Sequence, residues 1–407
     1  MVFRSCLTLF VLTACVVEAA DWPEFRGPGQ QGHATETGLP LTWSESEHVV
    51  WKTDVEGLGW SSPVVVDGTV WLTTARDDGR SLRVLAIDAA SGGITRDVEV
   101  LSLADPGPIH GKNSHASPTP VVVDGRVYAH FGSHGTVCLS TDGAILWKTR
   151  LVYNHRHGPA GSPVLWRNLL IIACDGTDVQ EVVALDAATG DEVWRQSRGE
   201  GRMAYSTPTL VDVEGETVLV SSGGEWTICY DPASGRERWR FRYPGGYSNV
   251  PRPVVHGGRV FVSSGYDTPT LYALELAGTN AADDPDGNGR VAWKVTKGAP
   301  RNASPLVVGD ELYFVSDNGV ISCVDAATGG PHWQERLGGD CSASPLFADG
   351  RIYLTNETGE TKVIRPGTTY EELAVNVLPG RTLASLAAAD GALFLRTDTS
   401  LYRLDAP

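Results

Sequence analysis

The chain has 407 residues, with 49 acidic against 33 basic side chains and a formal net charge of −16. Binding a phosphate backbone needs a basic face, and no Lys/Arg cluster supplies one, so a nucleic-acid partner is not expected. The length would allow two or three domains, but 46 Gly, 12 Trp and 42% hydrophobic residues suit a turn-rich, all-β chain.

Residues 1–20 read as an export signal. Arg4 precedes an apolar run from Cys6 to Val17, too short to cross a bilayer, so no transmembrane span is expected. Val17-Glu18-Ala19 resembles a small-x-small cleavage site, while Leu12-Thr13-Ala14-Cys15 fits a lipobox that would lipidate Cys15. Both routes lead to export, to the periplasm or beyond, free or anchored through Cys15. Residues 21–48 read as an N-terminal cap segment and 49–407 as one repeat domain. Gly27-Pro28-Gly29-Gln30-Gln31-Gly32 in the cap spells a dinucleotide glycine pattern. It follows no strand and opens no helix, so no dinucleotide site is read from it.

The repeat begins at Ser62-Pro63: a small residue, Pro, an apolar run, a Gly turn and an aromatic. It recurs at Thr119-Pro120, Ser162-Pro163, Thr207-Pro208, Arg252-Pro253, Ser304-Pro305 and Ser344-Pro345, and at Ser385-Leu386, where the Pro is lost. Successive copies are 57, 43, 45, 45, 52, 40 and 41 residues apart. A period of about 45 residues suits a four-stranded propeller blade, and apolar runs split by Asp-Gly or Gly-Gly read as tight hairpins. Val49-Val50-Trp51-Lys52-Thr53 looks like the end of a unit that never began. Leu401-Tyr402-Arg403-Leu404-Asp405 begins an ending that never arrives. The head therefore supplies the strand that the tail lacks. The predicted fold is an all-β, eight-bladed β-propeller of four-stranded blades, the last blade closed by residues 49–53.

The second half of the unit reads Ala184-Leu185-Asp186-Ala187-Ala188-Thr189-Gly190-Asp191-Glu192-Val193-Trp194. Asp and Thr-Gly make the turn between the third and fourth strands. The Trp on the outer strand then has area to bury against a neighbouring blade and an N–H to give to a backbone carbonyl. Trp51, Trp147, Trp194, Trp239, Trp293 and Trp333 take this structural role. Beyond the leader, Cys138, Cys229 and Cys323 fill the slot held elsewhere by Ala86, Ala184 and Ala273. They read as small apolar residues rather than disulfide partners. Asp284-Pro285-Asp286-Gly287-Asn288-Gly289 resembles half a calcium loop. Its twelfth position is Val295, so a polar hairpin in blade 5 is the preferred reading.

Polar residues concentrate in two sets of loops that a propeller brings to one face. The candidate funnel residues are Lys112, Asn113, His115, His157, Asp175, Asp178, Arg202, Tyr205, Asn249, Tyr266, Asp267, Arg301, Asn302, Asp317, Asn318 and Arg381. Such a mixture suits an anionic or polyhydroxy ligand; it suits equally a solvated rim whose polar groups tie down loops. There is no Gly-x-Ser-x-Gly elbow or zinc-binding helix.

The Ala-x-Asp-x-x-x-Gly-x-x-x-Trp pattern of Ala184–Trp194 resembles the tryptophan-docking motif of the pyrroloquinoline quinone (PQQ) repeat superfamily, and the resemblance runs from Trp51 to the end. From Asp21-Trp22-Pro23-Glu24-Phe25-Arg26-Gly27-Pro28 onward the chain is also similar to exported PQQ-repeat proteins of planctomycete-type bacteria. The superfamily implies two functional classes. One is the PQQ- and calcium-dependent dehydrogenases; the other is cofactor-free scaffolds such as the propeller lipoprotein of the outer-membrane assembly machinery. The adjacent cysteine pair on which many of the dehydrogenases stack the quinone is missing here. The regular blades, the absent catalytic signatures and the export signal favour a non-catalytic binding or scaffolding module of the cell envelope, a monomer with a protein or glycan partner and no cofactor. A quinoprotein dehydrogenase using PQQ and calcium is the alternative. Hydrolysis or cleavage of polysaccharide on the same funnel is a third reading, by analogy of fold alone.

Overall fold

The computed structural model describes residues 20–280 and 282–406. The leader through residue 19, including Cys15, lies outside them. The described chain forms eight four-stranded antiparallel sheets, and the only helical turns are short 3₁₀ pieces. Seven sheets are continuous in sequence: blades 1 to 7 span residues 64–102, 121–149, 164–197, 209–242, 254–295, 306–336 and 346–377. Blade 8 takes three strands from residues 387–405 and its outer strand from Val49–Asp54. That strand runs antiparallel to Ser400–Asp405, with Trp51 opposite Arg403 and Thr53 opposite Leu401. The predicted ring closure is what the molecule has.

Each blade starts with a three- to five-residue inner strand and a tight hairpin. Asp67-Gly68, at φ 49° and 66°, shows why: both central turn residues need the left-handed region, which Asp tolerates and Gly prefers. A register shift then interrupts the pairing of the third and fourth strands, for example between Ala184 and Leu185 and between Cys229 and Tyr230. The bulge turns the outer strand at the residue that carries the tryptophan.

All six predicted tryptophans dock on the blade that follows. Trp51 Nε1 donates to Ala89 O at 2.9 Å, Trp147 to Ala187 O at 3.0 Å and Trp194 to Pro232 O at 3.1 Å. Trp239 donates to Leu276 O at 2.9 Å, Trp293 to Ala326 O at 3.1 Å and Trp333 to Gly367 O at 3.0 Å. The motif's glycine belongs to this contact. A Cβ on Gly190 would meet the Trp147 ring at 2.6 Å, and one on Gly235 would meet Trp194 at 2.6 Å. The Gly of one blade is thus the landing surface for the Trp of the blade before. The slot holds Arg96 in blade 1 and Ala374 in blade 7. Blade 8 has no turn between its last two strands, because they come from opposite ends of the chain. At that junction Trp43 stacks against Tyr353 at 6.2 Å, and its backbone N–H donates to Asn376 Oδ1 at 2.8 Å.

At the axis, the small residue before each proline makes a ring. The Ser62 N–H donates to Thr119 Oγ1, Thr119 N–H to Ser162 Oγ and Ser162 N–H to Thr207 Oγ1. The ring continues from Arg252 N–H to Ser304 Oγ, then to Ser344 and Ser385, and closes when Ser385 N–H donates to Ser62 Oγ at 3.1 Å. Arg252 alone in this slot has no hydroxyl, so the link from blade 4 to blade 5 is not made this way. The inner strands have free edges facing the axis, and the N-terminal segment covers them. Trp22 pairs with Val65 through both backbone bonds, Pro23 O accepts from Val122 N, and the Gln30 and Gln31 side chains accept from Leu210 N and Val255 N. Gly32 and Ala34 pair with Phe347. Each of these strand residues lies two beyond the proline slot, so the segment threads the channel at one level. The fully buried Arg252 anchors it: Nε donates to Pro208 O, Nη1 to Phe25 O, and Nη2 lies 3.6 Å from the Glu24 carboxylate.

Cys138, Cys174, Cys229, Cys323 and Cys341 are buried free thiols. Burial pushes Cys138 up to about 11 and Cys341 to about 12, so they are packing groups rather than nucleophiles. The Asp284 hairpin closes on itself: the Asp284 carboxylate accepts from Asn288 N at 3.0 Å and from Gly289 N at 2.6 Å. Among the described residues no helix is long and apolar enough to cross a membrane.

Candidate functional site

Opposite the threaded segment the ring opens into a cavity of roughly 1060 Å³, with Phe25 of the segment among its lining. The loops before the inner strands and those between second and third strands build its wall, as the sequence placed them. Nine of the sixteen candidates line it: Lys112, Asn113, His157, Tyr205, Tyr266, Arg301, Asn302, Asp317 and Asn318.

The other seven do not. His115, Asp175 and Asn249 are buried at 5%, 2% and 0% exposure, which corrects their assignment to the funnel. Asp175 Oδ1 accepts from Arg198 Nε at 2.8 Å inside the ring. Burial pushes its carboxyl up, to about 6, against the pull of Arg198. Asn249 gives its backbone O to Tyr205 N at 2.7 Å and its amide to the Tyr243 hydroxyl at 3.2 Å. Asp178, Arg202, Asp267 and Arg381 stand outside the lining. Asp178 caps a loop by accepting from Asn154 N at 2.8 Å. Arg202 pairs with Asp267 at 2.9 Å and covers the Tyr247 ring at 4.2 Å. These four perform the loop-tying role that the sequence left open beside ligand binding.

Lys112 crosses the mouth. It sits on the long connection between blades 1 and 2, and its Nζ reaches Asp340 at 3.0 Å and Glu357 at 2.9 Å on the far side. Burial works against its charge, but its hydrogen bonds to Glu357 and Asp340 prevail and raise its pKa. Arg381 joins this latch by donating to Gly111 O at 3.1 Å. The near end of the same loop is held by His110 N and Asn113 Nδ2, both donating to His157 O.

Behind the loop lies a cluster of histidines. His134 is 5.5 Å from His115 and 5.2 Å from His155, ring to ring. His115 Nδ1, His134 Nε2 and His155 Nε2 are buried with no hydrogen-bond partner among the described residues. Burial first, and neighbouring imidazoles second, hold His134 and His155 down near 4. Among the described residues no three His, Cys, Asp or Glu side chains are placed to hold a metal ion.

Sequence reasoning missed Trp60, Lys297, Gln334 and Asp340 in the lining. Lys297 could have been found, since it lies in the same connection as Arg301.

The sequence matches the model of the family described as outer membrane protein assembly factor BamB, over residues 34–180, 178–283 and 277–400. The chain belongs to this family. BamB of Bordetella pertussis is 26% identical over 322 residues, covering 74% of this chain and 75% of its own. A quinone-dependent 1-butanol dehydrogenase of Thauera butanivorans is 30% identical over 205 residues, 46% of this chain; the match spans only 29% of the enzyme's length. Solved structures share the fold, two of them as follows. BamB of Moraxella catarrhalis has a TM-score of 0.64 at 14% identity, covering 88% of this chain and 97% of that one. A europium-containing methanol dehydrogenase has a TM-score of 0.69 at 10% identity, covering 94% and 90%.

Proposed function

We propose that this chain is an exported, non-catalytic β-propeller that works in the cell envelope by binding a protein partner. Residues 1–20 act as its leader, whether cleaved or lipidated at Cys15. The observation that carries this reading is the engagement of the carboxylates at and around the funnel by protein donors. Lys112 is held by Asp340 and Glu357, Arg202 by Asp267, and Asp317 accepts from Asn302 Nδ2 at 2.7 Å. Groups fixed in this way position loops; they are not poised for proton transfer. The match across three-quarters of the Bordetella assembly factor supports the same reading.

The test is photo-crosslinking in intact cells from positions spread around the full-length protein. A discrete envelope protein captured from one face, with no oxidation of alcohols or sugars by the purified protein and an artificial electron acceptor, is the expected result. A second reading, a PQQ-dependent dehydrogenase, draws on the arginine-backed aromatic lining, where Arg301 lies 4.6 Å from the Tyr266 ring. Its calcium finds a poor fit, because Asp317, Asp340 and Glu357 are already taken by protein donors. Saturable, calcium-dependent PQQ binding with turnover would establish the second reading and end the first.

A further inference from the structure

We infer that the funnel is a binding site for a short acidic saccharide, whose carboxylate would be received by Lys297 and Arg301. The inference goes beyond a protein-binding role. Lys297 and Arg301 lie on the connection into blade 6 and both line the cavity. Among the described residues neither the Lys297 ammonium nor the Arg301 guanidinium makes an ion pair or a hydrogen bond. Lys112, by contrast, has two carboxylates. Two unpaired cations in the cavity of a chain of net charge −16 mark where an anion is attracted, since the concave wall concentrates their field.

The surroundings suit a sugar better than a flat polycyclic anion. A planar ring system needs two parallel faces to enclose it. The stacked pair in the lining, His157 and Tyr205, is stacked on itself at 5.9 Å. Tyr247 and Tyr266 each already carry an arginine on one side, Arg202 at 4.2 Å and Arg301 at 4.6 Å. That leaves single aromatic faces, which match the apolar face of a pyranose. Amides stand beside them. Asn302 and Asn318 each use one end, on Asp317 and on the Ser316 hydroxyl. The other end of each has no protein partner among the described residues, as paired hydroxyls of a sugar would require. The roughly 1060 Å³ of space accommodates more than one sugar ring.

Isothermal titration of tri-galacturonate into the mature protein tests this, beside a neutral trisaccharide and PQQ. The expected result is saturable binding of the acidic sugar that weakens with salt, with the neutral sugar at least about tenfold weaker. Lys297→Met and Arg301→Gln should each weaken the acidic sugar by about tenfold, and Lys297→Met should leave the thermal midpoint unchanged, Lys297 being exposed. Tyr266→Ala should weaken both sugars. No saturable binding at millimolar sugar would overturn the inference. So would equal affinity for the neutral sugar, indifference to both cation variants, or PQQ binding that the acidic sugar cannot displace. The crosslinking pattern of Lys297→Met separates the two proposals: partner capture should survive the loss of sugar binding.

Discussion

At the scale of single residues, the tryptophans and one arginine carry most of what is specific to this ring. Trp239 is 2% exposed and joins blade 4 to blade 5 by ring area and by its N–H. Trp333 does the same job between blades 6 and 7 from a partly exposed position. Trp239→Ala should cost about 3–5 kcal/mol, the usual loss for a buried aromatic, and Trp333→Ala clearly less. Urea midpoints of the two variants check the order. Arg252 predicts a different kind of loss. Arg252→Met leaves the half-buried Glu24 without its cation and removes the bonds to Pro208 O and Phe25 O, a loss of up to about 3–5 kcal/mol, the cost of breaking a buried pair. The N-terminal segment should then loosen, and trypsin should cut after Arg26, which is 2% exposed in the intact protein, at concentrations that spare the wild type. The tryptophan role was legible in the sequence because the motif repeats. The arginine was visible only as an irregularity in a small-residue slot, and nothing local says that its side chain reaches Phe25 across 227 residues.

At the scale of elements, strands and turns were legible and loops were not. Inner strands announce themselves by Pro, a valine run and Asp-Gly, a pattern fixed by local backbone geometry. Whether a loop residue faces the funnel depends on how far each loop folds back over its neighbour, so His115, Asp175 and Asn249 turned inward while Lys297 and Trp60 turned to the cavity. The histidines of blade 2 and of the connection that follows it also predict a pH dependence. His130, His134 and His155 are held at about 3, 4 and 4, chiefly by burial, against an ordinary 6.5. The unfolded chain therefore binds more protons between those values, and stability falls as pH drops from 6.5 toward 4. The melting temperature should decline over that interval, and the decline should be shallower in His134→Gln. An unchanged slope in the variant would remove the cluster as the cause.

At the scale of the whole molecule, the split blade makes folding depend on the two ends of the chain meeting. Deleting residues 49–53 removes the outer strand of blade 8, exposes the edge of Ser400–Asp405 and takes away Trp51, which docks on blade 1 at Ala89. An open edge of this kind recruits other chains. The deletion should unfold without a single sharp transition and aggregate at concentrations where the full chain stays monodisperse, as calorimetry and light scattering would show. The closure was legible at full length because a repeat cut at both ends has one simple completion.

The one slot in the axial ring without a hydroxyl has a consequence for orientation. Eight near-equivalent blades offer an asymmetric peptide eight equivalent angles at which to lie, since the hydrogen-bonding positions at the threading level differ little from strand to strand. Arg252 is a notch on the dial: it is fully buried, it reaches the backbone of Phe25, and no other blade has it. It sets the phase of the N-terminal segment. The long loop over the mouth, the latch at Glu357 and the pair of open cations near blade 6 keep a fixed angular relation to that segment. An insertion or loss of one blade on one side of Arg252 would leave a ring that still closes but whose top and bottom are out of step.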